Sequence, residues 1–147
     1  MFHVDPDKRF AEDLTKQELY DHAVYHLGTM PEKCATKYGT CLYRSPDGQN
    51  SCAVGYFLKD NEIPRVYNSK GISDLVKDNI FPERLIPHIE MLSSFQAFHD
   101  LPANWYDNRN GLKHMLKDRG KYYNLDTSLI DHPEMAWNKK PSVMDRL

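Results

Sequence analysis

The sequence predicts an α+β protein in which three or four helices pack on a short β-hairpin, followed by an irregular C-terminal arm. Three segments carry apolar residues at helical spacing, with helix start or stop signals close to their ends. Two short apolar runs flank a Pro-Asp-Gly turn, which is the arrangement expected of a hairpin. Residues 121–147 contain few periodic apolar positions and read as an arm.

Length and composition fit one folded unit. The chain has 147 residues, 40% of them hydrophobic and 27% charged, which is enough apolar surface for a single core. We therefore predict one globular domain over residues 1–120, with the arm after it. The formal net charge of -2 makes nucleic acid an unlikely partner, because binding to phosphates usually requires a basic surface.

The apolar runs are too short for a membrane-spanning helix, so we expect no membrane partner. The polar N-terminal stretch lacks the apolar region of a secretory signal. These two features favour a cytoplasmic location.

The first helix is predicted over residues 16–27. Thr15 and Glu18 form the pattern of a capping box, in which each side chain bonds the backbone of the other residue. Gly28 is expected to end the helix. The predicted apolar stripe consists of Leu19, Tyr20, Ala23 and Leu27.

The hairpin is expected after an irregular stretch. Residues 41–44 predict a short strand, and residues 45–48 predict a turn because Pro fixes φ and Gly tolerates positive φ. The apolar run 51–58 fits either a return strand or a short buried helix. Ser51 is a candidate helix cap, which favours the helix slightly.

Two helical segments are predicted in the next part of the chain. A short helical turn is expected at residues 73–77. A longer helix is expected at residues 87–100, with Pro87 at its first position, where a missing N–H costs nothing.

A last helix is predicted over residues 105–119. Asn104 or Asp107 is the expected cap, and Gly120 is the expected end.

Three cysteines at positions 34, 41 and 52 favour free thiols or metal ligands over a fully paired disulfide framework. Zinc accepts sulfur and imidazole ligands, so Cys41, Cys52 and His99 form a candidate zinc site. The tight ligand pair of most structural zinc sites is missing. The alternative is that Cys41 and Cys52 are small buried hydrophobic residues. Apart from this candidate zinc, we expect no cofactor.

A cysteine nucleophile is the second chemical hypothesis. Cys52 near a helix start would have a lowered thiol pKa, and His99 would act as its base. Asp100 is a poor orienting group for His99, because adjacent helical residues do not face each other. The alternative is a packed thiol and a histidine bonded to a nearby carbonyl. The chain also lacks a phosphate-binding glycine loop and a GxSxG motif.

Weaker patterns have plain structural interpretations. His22 and His26 have the i, i+4 spacing of a metal pair, but a partly exposed helix face explains them better. Basic and aromatic residues at 113–123 are better explained as a solvated helix face than as a nucleic-acid surface. Trp105 and Trp137 are candidate anchors for a protein partner, with core packing as the alternative, and Trp137 suggests that the arm docks.

The central region resembles a family of small uncharacterised proteins encoded by bacteria and their tailed phages. The resemblance rests on Cys41-Leu-Tyr-Arg44, Asp47-Gly48, Cys52-Ala-Val-Gly55 and Phe95-Gln96 with His99-Asp100. The family pattern has Leu where this chain has Phe95. The resemblance covers about residues 15–118 and implies a helix-rich domain with a small hairpin and a phage or bacterial source. It carries no established activity. The residues that it implies to lie together are Cys41, Tyr43, Arg44, Cys52, Gln96, His99 and Asp100.

These observations favour a binding protein over an enzyme. The leading hypothesis is a phage-type accessory protein that binds a host or viral protein and modulates it, with inhibition as the expected effect. The alternatives are a cysteine-dependent hydrolase or transferase that uses Cys52 and His99, and a zinc-stabilised module. The sequence leaves the oligomeric state open. The candidate binding residues are Tyr43, Arg44, Gln96, Asp100, Trp105 and Trp137.

Overall fold

Helices make up the regular structure of this protein. The computed structural model describes residues 4–30, 33–34, 42–45, 50–63, 71–105 and 109–137. The α-helices in these ranges are α1 (Lys16–Thr29), α2 (Ile72–Lys77), α3 (Ile89–Asp100) and α4 (Asn110–Tyr122). Short 3-10 helices lie between and beside them, at Pro6–Phe10, Gly55–Phe57, Glu83–His88, Pro102–Asn104 and Ser128–Asp131.

The α+β prediction is wrong, because the described residues contain no β-strand and no sheet. What remains of the hairpin is one antiparallel bridge between Arg44 and Ser51. The Ser45 N–H donates to the Asn50 carbonyl at 2.9 Å, and the Cys52 N–H donates to the Tyr43 carbonyl at 3.3 Å. Pairing stops there because the chain turns after Cys52.

The run 51–58 contains the 3-10 helix Gly55–Phe57. Of the two alternatives for this run, the short buried helix therefore describes it better than the return strand. Ser51 does not cap it, because it belongs to the bridge. The start of the predicted strand and the centre of the predicted turn, residues 41 and 46–48, lie outside the described residues.

The capping box of α1 is confirmed. The Glu18 N–H donates to the Thr15 hydroxyl at 3.1 Å, and the Thr15 N–H donates to the Glu18 carboxylate at 3.0 Å. Gly28 does not end the helix, which continues to Thr29. Instead, Gly28 provides room for the side chains of Met135 and Trp137, which a Cβ at this position would meet at 2.5–3.1 Å.

α1 is the most enclosed helix of the structure. Six consecutive residues in its middle, 19–24, are buried, and consecutive residues of a helix point in all directions around its axis. The helix is therefore enclosed on most of its circumference. Its buried residues are Leu19, Tyr20, Asp21, His22, Ala23, Val24, Leu27 and Gly28.

The helices predicted at 73–77 and 87–100 are confirmed with shifted starts. α2 begins at Ile72 and α3 at Ile89. Pro87 is not the first residue of α3, because it lies inside the preceding 3-10 helix Glu83–His88.

The last predicted helix is displaced toward the C-terminus. α4 begins at Asn110 rather than 105, because the chain first forms the 3-10 helix Pro102–Asn104. Asn104 is not its cap, since its side-chain amide donates to the Phe98 carbonyl at 2.8 Å. Asp107 lies outside the described residues.

The end of α4 also differs from the expectation. The helix runs through Gly120 and stops at Tyr122, and Asn124 then adopts a positive φ of 57°. The Leu125 N–H donates back to the Gly120 carbonyl at 2.9 Å, which closes the helix end.

The described part of the arm, residues 121–137, docks on the core. Leu129, Ile130 and Trp137 are buried. The Trp137 indole N–H donates to the Ile130 carbonyl at 2.7 Å, and the Ala136 N–H donates to the Gly28 carbonyl at 2.7 Å. This segment therefore covers one face of α1.

No helix in the described part of the chain combines the length and the apolar character needed to cross a membrane. The longest, α1, has 14 residues, whereas a spanning helix needs about 20.

Gly120 is expected to be essential for packing between α4 and α1. A Cβ at this position would meet the Tyr20 hydroxyl at 2.5 Å and the Thr127 methyl at 2.6 Å. Gly120→Ala should therefore lower the free energy of unfolding by about 1–3 kcal/mol, measured by urea titration. In the matched change Gly111→Ala, the new Cβ meets, among the described residues, only the Asn104 side-chain oxygen, at 3.1 Å, and the change should alter stability by less than about 1 kcal/mol. Equal effects of the two changes would contradict this packing.

Candidate functional site

His99 lies at the centre of a polar network at the end of α3 and is completely buried. The Cys34 N–H donates to His99 Nε2 at 3.1 Å. Because a backbone N–H is always a donor, Nε2 must carry the lone pair. The proton is therefore on Nδ1, which donates to Asp100 Oδ1 at 2.9 Å.

The contact with Asp100 corrects a prediction. Adjacent helical residues were expected not to face each other, yet Asp100 bonds the ring of His99. Asp100 is the last residue of α3, so no following helical turn confines its side chain.

Gln96 extends this network to the 51–58 loop. Its Oε1 accepts the Val54 N–H at 3.1 Å, and its Nε2 donates to Asp100 Oδ1 at 2.9 Å. The structure thus brings Gln96, His99 and Asp100 together. They hold backbone segments against α3, and the network presents no free base.

Cys52 has the surroundings of a structural thiol. It is 1% exposed, and burial raises the pKa of its thiol to about 12, so it is protonated at neutral pH. The Gly55 N–H donates to its sulfur at 3.3 Å. No α-helix starts at Cys52, so the expected lowering of its pKa by a helix N-terminus does not occur. With the lone pair of His99 already bonded, these features oppose a Cys52–His99 nucleophile.

The zinc hypothesis finds no support in the described residues, where no three His, Cys, Asp or Glu side chains converge on a metal position. Cys41 lies outside these residues. Both ring nitrogens of His99 already have partners, so zinc would have to displace either the Cys34 N–H or Asp100. As arranged, His99 does not fit a zinc ligand.

The aromatic candidates for partner binding are buried in the protein itself. Tyr43 is 5% exposed, and Trp105 and Trp137 are each 6% exposed. The Trp105 indole N–H donates to the His99 carbonyl at 2.7 Å, and the Arg109 guanidinium lies 4.8 Å from its ring centre. None of these rings presents the exposed surface that an interface anchor needs.

Arg44 fixes the loop that follows the bridge. Its Nη2 donates to the carbonyls of Leu58 at 2.8 Å and Gly55 at 3.2 Å, and its Nη1 pairs with the Asp60 carboxylate. Gly55 is required here, because a Cβ would overlap the Tyr43 carbonyl.

A surface pocket of about 260 Å³ lies beside this loop. We call it the arginine pocket; it is lined by Arg9, His26, Arg44, Asn50, Ser51, Tyr56 and Asp60. Of the binding residues predicted from the sequence, Arg44 lies in this lining. The others come from the N-terminal 3-10 helix, the end of α1 and the loop, and no local spacing links these segments.

Arg9 lines the arginine pocket and has no ion pair with a described residue. Its Nη1 donates to the Pro6 carbonyl at 2.8 Å, while its Nε is buried without a hydrogen-bond partner. Its guanidinium lies 4.1 Å from the ring centre of Phe10 and 5.2 Å from that of Tyr56. No carboxylate among the described residues forms an ion pair with it, whereas Arg44 is paired with Asp60.

His26 adds no charge to the pocket at neutral pH, because burial lowers the pKa of its ring to about 4. Its Nε2 donates to the Ser51 carbonyl at 2.7 Å, and its ring stacks on Tyr56 with centres 4.5 Å apart. His22, one turn earlier, is buried and bonds the Tyr56 hydroxyl at 3.2 Å. The partly exposed helix face expected for these two histidines is therefore confirmed for His26, which lines the pocket, and wrong for His22, which is buried.

No family model, curated protein or solved structure matches the chain. The resemblance to the bacterial and phage family therefore rests on the residues quoted for it, and any function must be argued from the site.

Cys52 is expected to be inert in the folded protein. Because burial raises its pKa to about 12, iodoacetamide at pH 8 should label it at least about 100-fold more slowly than in 8 M urea. Mass spectrometry of the peptides would follow the rate at each cysteine separately. Fast labelling of Cys52 in the folded state would instead support the nucleophile hypothesis.

His26 should make the fold sensitive to acid. Its pKa is below that of the unfolded chain, so the unfolded state binds an extra proton as the pH falls from about 6.5 toward 4. The contribution of neutral His26 to the free energy of unfolding is therefore complete above about pH 6.5. It is lost as the pH falls through this window, by up to about 1.4 kcal/mol per pH unit.

The variant His26→Gln isolates this effect from other titrating groups, including Asp21, whose pKa burial raises to about 6. Between pH 7.5 and 5.0 the wild type should lose about 1–2 kcal/mol more than His26→Gln in urea titrations. His114→Gln, at an exposed position of α4, should follow the wild type. Parallel curves for wild type and His26→Gln would exclude a lowered pKa of His26 in the folded protein.

Proposed function

We propose that this protein is a binding protein of the phage accessory type, which attaches to a host or viral protein in the cytoplasm and inhibits it. The observation that carries the proposal is the arginine pocket, a surface depression in which Arg9 has no anionic partner among the described residues. The resemblance to bacterial and phage proteins supplies the class of partner.

The pocket offers recognition rather than catalysis. Ser51 and His26 are its nearest approach to a nucleophile and base, with Oγ and Nε2 3.5 Å apart. However, His26 Nε2 carries the proton that it donates to the Ser51 carbonyl, so it has no lone pair to accept the Ser51 proton. A cysteine-dependent hydrolase or transferase would also need Cys52 and His99 free, and both are engaged inside the fold.

The polar character of the pocket favours a protein surface as its partner. Charged and polar groups at an interface give specificity and orientation, and arginine is enriched among residues that dominate binding energy. The pocket is also somewhat smaller than the roughly 300–1,000 Å³ of sites that enclose drug-sized ligands.

Site-specific photo-crosslinking tests this function. Asn61 is exposed and adjacent to Asp60 of the pocket, whereas Lys121 is exposed on α4 and does not line it. A photoreactive residue at position 61 should capture one host or viral protein, and the same residue at position 121 should not. The captured protein, purified, should bind the wild type in a two-component assay and lose activity when bound.

Identical capture patterns from positions 61 and 121 would contradict the proposal, as would a captured protein whose activity is unchanged when it is saturated. The assay uses the full chain, so the arm remains docked on α1.

A further inference from the structure

We propose that the arginine pocket binds a single carboxylate, presented by an acidic side chain of the partner protein. This inference rests on the proposed function, because it assigns the chemistry by which the partner is recognised. Three observations carry it: the charge balance of the pocket, the fixed position of Arg9, and the size of the cavity.

The charge balance selects a group with one negative charge. Of the charged side chains that line the pocket in the described part of the chain, Arg44 is neutralised by Asp60, and His26 is neutral, which leaves Arg9. Asp60 is 97% exposed at the rim, and it repels a group with two negative charges more strongly than a group with one. A carboxylate matches one free guanidinium, whereas a phosphate dianion exceeds it.

Arg9 is held in place before any ligand arrives. The rings of Phe10 and Tyr56 lie 4.1 and 5.2 Å from its guanidinium, and the Pro6 carbonyl accepts one of its N–H groups. A guanidinium has five N–H donors in a planar fork that fits the two oxygens of a carboxylate. Since the fork is already positioned, less side-chain freedom is lost on binding.

The cavity is sized for a side chain. Its volume of about 260 Å³ accommodates the end of an Asp or Glu side chain with some water, at about 30 Å³ per water molecule. Ser51 and Asn50 also line the pocket and give its wall a polar character.

The binding experiment uses N-acetyl-glutamic acid amide as the probe, with N-acetyl-glutamine amide and inorganic phosphate beside it. Chemical shifts of the Arg9 Nε–H and the backbone amides report binding to the full chain by NMR. We expect millimolar binding of the glutamate probe, at least about tenfold tighter than that of the glutamine probe. We also expect it to be tighter than the binding of phosphate at pH 7.5.

Two variants move the affinity in opposite directions. Arg9→Gln should weaken binding of the glutamate probe at least about tenfold. Asp60→Asn should tighten binding of this probe about threefold or more, because the Asp60 carboxylate no longer offsets the positive charge of Arg44. Lys121→Gln removes the same charge as Arg9→Gln at an exposed position outside the pocket and should change affinity less than about twofold. If Arg9→Gln does not fold, Arg9→Lys keeps the charge without the fork and should also weaken binding.

The inference is overturned if phosphate binds more tightly than the glutamate probe, if the two amino-acid probes bind equally tightly, or if Asp60→Asn weakens binding of the glutamate probe. Its failure can be told apart from failure of the proposed function. A partner captured from position 61 with no binding of the glutamate probe would overturn the carboxylate site alone. Binding of the probe with no protein captured would overturn the protein partner and assign the pocket to small free carboxylates.

Discussion

Burial of α1 on most of its circumference is the constraint on which the rest of the structure depends. A buried polar group without a partner costs about 1–3 kcal/mol, so the polar side chains that this helix turns toward the interior need hydrogen-bond partners, and two of them find theirs on neighbouring segments. Tyr20 donates to the Leu116 carbonyl of α4 at 2.7 Å, and His26 donates to the Ser51 carbonyl. Polar residues of α1 therefore help to fix α4 and the bridge loop against it.

The same constraint builds the arginine pocket. His26 stacks on Tyr56, and His22 bonds the Tyr56 hydroxyl, so α1 holds this ring from two turns of one helix. The ring in turn lies beside the Arg9 guanidinium, which comes from the first 3-10 helix. A histidine pair that resembles a metal motif in sequence thus acts by packing. It holds the Tyr56 ring against the guanidinium of Arg9.

Features set by neighbouring residues could be predicted from the sequence, and features set by distant contacts could not. The capping box at Thr15 needs only four residues, and it predicted the start of α1 correctly. The hairpin failed because its length depends on Gly55 packing against the Tyr43 backbone, which turns the chain after one bridge. In the candidate site, Arg44 was recognised by its motif, whereas Arg9 was missed because nothing near it in sequence indicates the pocket.

The residues of the central motif share a structural role: their side chains bond the backbone of irregular segments. This role explains why the motif indicates no catalytic or metal site. Arg44 bonds the carbonyls of the 51–58 loop, Gln96 bonds its backbone at Val54, and His99 accepts the Cys34 N–H. Each side chain forms a hydrogen bond with the backbone of an irregular segment. Buried backbone groups outside regular secondary structure need such hydrogen-bond partners. The motif therefore specifies how the loop is built. The free charge that distinguishes the pocket comes from Arg9, outside the motif, so we expect proteins that share the motif to differ in what they bind.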